Sequence, residues 1–155
     1  MFSWLENTSV ALWVGGSLWG YPAMLSLHAV GLAIVVGIFA MRDLRLLGLF
    51  PAIAPQAFLG LSKLGWVGFI VNAVSGIMLF TSQAVTFAGS AAFLIKLGCI
   101  VAAMVLAGII QSRLRVAVEA QSGAPVISAS TRTIAAISLS LWMSAIIAGR
   151  LIAYL

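Results

Sequence analysis

Four long apolar runs, separated by turn-forming or charged residues, set the pattern of this chain. They read as Gly20–Met41, Leu64–Ser82, Ala91–Ile110 and Arg132–Leu155. Each meets the length of about 20 residues that a helix rising 1.5 Å per residue needs to cross a bilayer. The runs are too long and continuous for barrel strands, and spanning segments must satisfy their backbone groups internally, so they predict helices. Pro22 suits a first helical turn, where its missing N–H costs nothing. "PAIAPQ" (Pro51–Gln56) breaks the chain after the first run, and Ala57–Lys63 reads either as an interfacial helical turn or as the early part of span two. "TFAGSAAF" makes a short connection, and "EAQSGAPVISASTR" (Glu119–Arg132) is the polar loop. The expected fold is all-α: an integral membrane four-helix bundle forming a single transmembrane domain over residues 1–155.

Ahead of the first run stands "FSWLENTSVALWVGGSLWG", rich in tryptophan (Trp4, Trp13, Trp19) and breakable at Gly15, Gly16 and Gly20. It predicts an N-terminal interfacial amphipathic helix over Ser3–Val14, with indole rings at the headgroup level. A fifth span here would put Glu6 in lipid. The start lacks a positive n-region and carries Glu6, which argues against a cleaved signal peptide.

Composition strengthens the membrane reading. The chain is 63% hydrophobic and 7% charged, with a mean hydropathy of +1.20, whereas a soluble domain carries roughly a quarter charged residues. The net charge of +5 does not point to nucleic acid, because the basic residues are scattered at the ends of apolar runs. With four spans, Arg42, Arg45, Lys63, Arg113, Arg115 and Arg132 fall on one side, which is six of the eight basic residues. The positive-inside rule makes that side cytoplasmic and places both termini outside the cytoplasm of a bacterial inner membrane. Cys99 is alone, so one subunit has neither a disulfide nor a cysteine-based metal site.

The two remaining basic residues carry the candidate chemistry. His28, the single histidine, lies about eight residues (roughly 10–12 Å) below the outer end of span one. Lys96 and Arg150 each lie about five residues from the outer ends of spans three and four. Three helices thus put an ionisable group in one outer layer, where such groups are costly and point to function. Each also has a plain reading: Lys96 and Arg150 snorkel to headgroups beside Tyr154, and His28 is a neutral core histidine bonded to a neighbouring carbonyl. The functional reading is a haem b or related tetrapyrrole. Imidazole is an axial iron ligand and two propionates need cationic partners. Met24 offers a second soft ligand, and Gly31, Ala33 and Gly37 allow close approach of a macrocycle or a helix. Copper is the rival cofactor: Met24 and His28 stand at i and i+4, with Met78 in "SGIMLF", and thioether plus imidazole suits Cu(I). A proton relay or a zinc hydrolase has too few parts here, so the reading leans away from an enzyme.

"MRDLRLLG" ends span one. Its Asp43, between Arg42 and Arg45, reads as a helix-terminal pair with an arginine of this or an adjacent helix, or else as a contact with a partner subunit or anionic lipid. Asn72, Ser75, Ser138, Ser140 and Trp142 read as helix-to-helix contacts.

Through "LHAVGLAIVVGIFAMRDLRLLGL" and "FLIKLGCIVAAMVLAG" the chain resembles a bacterial family of four-span membrane proteins of unassigned function, over most of its length. More distantly it is similar to the group containing HemJ-type protoporphyrinogen oxidase and CopD-type copper-resistance proteins. That resemblance implies a haem ligand at His28 with Lys96 as its partner. The oxidase pattern carries a second histidine where this chain reads "IIQSRLRV", and an acidic element where it reads "LWMSAIIAGRLIAYL"; the methionine and histidine clusters of copper importers are absent too.

The favoured expectation is a haem-binding membrane protein of redox or electron-transfer type. The alternatives are a structural or accessory subunit, with Trp4, Trp13 and the Arg42–Arg45 end as contact surfaces, and copper handling or small-solute transport. Under each reading the partners are the lipid bilayer and a second copy or another membrane subunit.

Overall fold

The computed structural model describes residues 2–120, 127–152 and 154. Among them every regular element is a helix: α1 (Ser3–Glu6), α2 (Ser9–Gly16), α3 (Gly20–Leu46), α4 (Ala57–Ser82), α5 (Ala84–Gly89), α6 (Ala91–Glu119) and α7 (Ala129–Leu151). Helices α3, α4, α6 and α7 are long and apolar enough to span a bilayer, making the chain a multi-pass membrane protein. In the most apolar stretch of α3 only 17% of residues are buried, and in α4 and α7 only 28%. Most of the apolar surface therefore faces outward, where hydrocarbon is the matching solvent.

All four helices overrun the apolar runs at their arginine-rich ends or starts. Charge sets where a helix leaves the hydrocarbon, not where it stops. Thus α3 continues through "RDLRL", α4 begins at Ala57 so that Ala57–Lys63 belongs to the second span, and α6 reaches Glu119. The end of α3 is made by Gly48, whose φ of +105° suits glycine. Leu49 N–H donates to the Leu44 carbonyl and Gly48 N–H to the Arg45 carbonyl, both at 3.1 Å, the paired bonds of a Schellman cap. Arg45 then holds the following turn, donating to the carbonyls of Ile53 and Pro51. Of the expected polar loop, residues 121–126 lie outside the described set. The end of α7 at Leu151 precedes residues 153 and 155, which also lie outside it.

The amino-terminal segment differs from the single helix expected over Ser3–Val14. Thr8 takes an extended backbone and its hydroxyl accepts from Ala11 N–H at 3.3 Å, ending α1 and capping α2. The 84–89 stretch, expected as a simple connection, forms α5; Glu6 ties it down by accepting from Val85 N–H at 2.9 Å.

Helix α3 packs most extensively on α4, α6 packs on α7, and α3 also meets α7, whereas α4 and α6 barely touch. The α3–α4 contact is close because glycine lines it. A Cβ at Gly31 would stand 2.7 Å from Asn72 N, and one at Gly68 would stand 2.6 Å from Ile34 Cγ2. Gly37, by contrast, has open space around it.

Midway along the bundle, Val35, Phe39, Ala103, Met104, Ala107 and Trp142 form the buried core, with Phe39 stacked on Trp142 at 6.1 Å. Below it, towards the arginine-rich end, Arg42 and Asp43 are both buried. Arg42 Nε and Nη2 donate to Asp43 Oδ1 at 3.0 and 2.7 Å, and Nη1 donates to the Ala107 carbonyl at 3.1 Å, joining α3 to α6. The guanidinium carbon sits 5.0 Å from the Phe39 ring centre. Ser138 of α7 neighbours the carboxylate.

Candidate functional site

His28 lies two turns into α3, on the face that meets α4. Its Nδ1 is 2.9 Å from the Asn72 carbonyl oxygen and 3.3 Å from Ser75 Oγ. A carbonyl only accepts, so Nδ1 carries the proton and donates, leaving Nε2 with the lone pair in the neutral ring. The Asn72 amide returns the contact, Nδ2 donating to the His28 carbonyl at 2.8 Å. Gly76, one turn on from Asn72, makes room for the ring: a Cβ there would stand 3.0 Å from imidazole Cε1.

Lys96 projects from α6, one and a half turns after Ser90 caps that helix by accepting from Phe93 N–H at 3.3 Å. Its methylene chain crosses to α7 and lies over Gly149, where a Cβ would stand 3.4 Å from Cδ and 3.7 Å from Nζ. Arg150, the next residue on α7, is exposed. The bundle brings His28, Lys96 and Arg150 to one cavity of about 710 Å³ near the terminus-bearing end, inside the range of about 300–1,000 Å³ usual for small-molecule sites.

The cavity is walled by hydrocarbon. Phe93 stacks on Phe80 at 5.4 Å and on Phe87 at 5.5 Å, and Phe2 meets Phe80 edge-on at 6.3 Å, forming an aromatic roof under α5. Phe69 and Ile100 make the floor, where they pack on the central core. Among the described residues no carboxylate lines the cavity. Among the described residues the one ion pair is Arg42–Asp43, so neither Lys96 nor Arg150 has an acidic partner there. A partly buried lysine and an exposed arginine thus border one largely apolar cavity with a neutral imidazole, groups whose chemistry suits an anion with an apolar body.

The other candidate residues fall elsewhere. Met24 and Met78 are half-buried and do not line the cavity, so the thioether–imidazole set considered for copper is not collected there. Cys99 is also outside the lining. Among the described residues no three of His, Cys, Asp and Glu cluster as a metal site. Arg42 and Asp43 are internal to the chain and Arg45 serves the α3–α4 turn, whereas Trp4 and Trp13 are exposed. Gly76, Gly149 and the four phenylalanines of the roof are not singled out by the sequence. Gly76 stands at i+4 from Asn72 and Gly149 directly precedes Arg150, the signals by which these two glycines were open to being found.

No family model, curated protein or solved structure matches the chain.

Proposed function

We propose that the cavity binds a haem-type tetrapyrrole of the haem b class and that the protein serves redox or electron transfer rather than hydrolytic turnover. The observation that carries this reading is the state of His28. Donation from Nδ1 to a backbone carbonyl fixes the tautomer and the ring plane, the arrangement that raises the basicity of a metal-ligating imidazole. The residues present fit the group in three respects: Nε2 for the iron, Lys96 and Arg150 for the propionates, and aromatic walls for the macrocycle. Bound there, a haem would supply one-electron chemistry. The chain's own part is to orient the ligating nitrogen through Asn72, to neutralise two carboxylates, and to exclude water with the phenylalanine roof.

We further assign the terminus-bearing end to the extracytoplasmic side of a bacterial plasma membrane. Six of the eight basic residues lie towards the opposite end.

Purified protein titrated with haemin in detergent or nanodiscs tests the proposal. The expected result is a saturable Soret band, reduced or shifted in His28→Ala, with stoichiometry checked by pyridine haemochrome assay. Absence of a Soret band in either redox state, after incubation with excess haemin, overturns it.

A further inference from the structure

We infer that this cavity fills sideways, from the hydrocarbon of the bilayer through the seam between α4 and α6, and that the ligand class it admits is a carboxylate-bearing amphiphile. The inference rests on the proposed binding reading for the position of the ligand; haem is one such amphiphile.

The seam is the open side of the bundle, since α4 and α6 scarcely meet while every other neighbouring pair is packed. The residues that line the cavity at this seam are themselves largely exposed: Ile77 on α4 is 63% accessible, and on α6 Val101 is 63% and Leu97 43%. A side chain that both borders the cavity and faces outward stands at a rim, and these rim residues are all aliphatic. They lie within membrane-spanning helices, so the mouth they frame opens on lipid tails. Towards the terminus-bearing end the rim differs: Gln83 and Arg150 also border the cavity and are exposed, and they are polar. The stacked rings of Phe80, Phe87 and Phe93 narrow the seam at that end. The packed core closes it below.

The charge pattern then selects the ligand. A molecule moving in from the tails must be apolar enough to sit among them, yet the partly buried Lys96 has no acidic partner among the described residues and needs a negative group to offset its burial, with the exposed Arg150 bordering the same cavity. A neutral hydrophobe would leave Lys96 uncompensated, and a small hydrophilic anion would not partition into the tails. An amphiphilic carboxylic acid meets both demands, with its head towards Lys96 and its body along the seam.

The test uses the protein reconstituted in vesicles preloaded with either of two probes. Haemin is read by its Soret band, and cis-parinaric acid by saturable energy transfer from the protein's tryptophans. Ile77→Trp and Val101→Trp plug the mouth, Ile77→Ala and Val101→Ala widen it, and Val30→Trp, on a lipid-facing position of α3 away from the cavity, is the control. The tryptophan plugs are expected to slow filling by both probes several-fold, the alanine variants to speed it, and the Val30→Trp control to match the parent in both rate and final haemin occupancy. Equal filling rates across all five variants overturn the seam. Parinarate filling that depends on the mouth, without any Soret band from haemin, keeps the seam and overturns the tetrapyrrole reading. Saturable binding of neither probe overturns both.

Discussion

Asn72 and His28 exchange hydrogen bonds in both directions across the most extensive helix contact of the bundle, between α3 and α4. The Asn72 side chain donates to the His28 backbone at 2.8 Å, and the His28 side chain donates to the Asn72 backbone at 2.9 Å. One bond sets the helix register and the other sets the ring. Because the shorter of the ring's two contacts is to the Asn72 carbonyl, with Ser75 Oγ at 3.3 Å the other, a change of the residue 72 side chain leaves the ring its partners.

Asn72→Ala is therefore expected to cost stability without freeing the imidazole. The lost interhelical bond is worth about 0.6–2 kcal/mol, and the Soret position of haemin-loaded protein should stay where it is. Gly31→Ala is expected to cost more, towards about 3 kcal/mol, because its Cβ meets rigid backbone rather than a movable side chain. Reversible unfolding in mixed micelles ranks the two.

Gly76→Ala should act on the ligand rather than on the fold. The added methyl presses on imidazole Cε1 and Nδ1 and so shifts the ring. Weakening of haemin binding by roughly tenfold, equivalent to about 1.4 kcal/mol, is expected with little change in unfolding. Equilibrium titration measures it.

Lys96 and Arg150 should differ in strength. Lys96 is partly buried, and a charge-assisted bond to a propionate there is worth about 1.5–3 kcal/mol, so Lys96→Met should weaken haemin binding at least about tenfold. Arg150 is exposed, and its contribution should be smaller and should fade in about 1 M salt. Haemin dimethyl ester, which lacks the carboxylates, should bind parent and Lys96→Met alike.

The Arg42–Asp43 pair should behave as a unit. Asp43→Ala leaves a buried guanidinium without its counterion and is expected to destabilise the protein by about 3–5 kcal/mol. The double change Arg42→Leu with Asp43→Leu removes both charges and should cost clearly less than the two single changes added together. A double-mutant cycle on unfolding free energies reads the coupling.

Much of the architecture was legible in the sequence because it follows from length and polarity alone. Spans are counted from apolar runs, and the shared depth of His28, Lys96 and Arg150 follows from counting residues inward from the run ends. What counting does not supply is the rotation of each helix about its axis. Met24 shares a helix face with His28 yet falls outside the cavity, because the i, i+4 relation says which residues are neighbours and not which way they look. Gly76 and Gly149 matter only once a ring and a methylene chain lie over them, a fact of packing between helices distant in sequence. The Thr8 break in the amino-terminal helix is different. A threonine followed three residues later by Ala11 is an ordinary N-cap, and the apolar continuity of "SVALWV" masked it.

About 21 Å of helix axis separates His28 from Arg42, at 1.5 Å per residue. Across that interval Val35, Phe39, Ala103 and Ala107 interpose hydrocarbon between the two polar strata. Such a layer is a dielectric barrier: a charge gained or lost beside the imidazole has no relay through the core to the opposite leaflet. Were the cavity to take up or release charge, that change would stay at one face of the bilayer, on one side of this hydrocarbon layer.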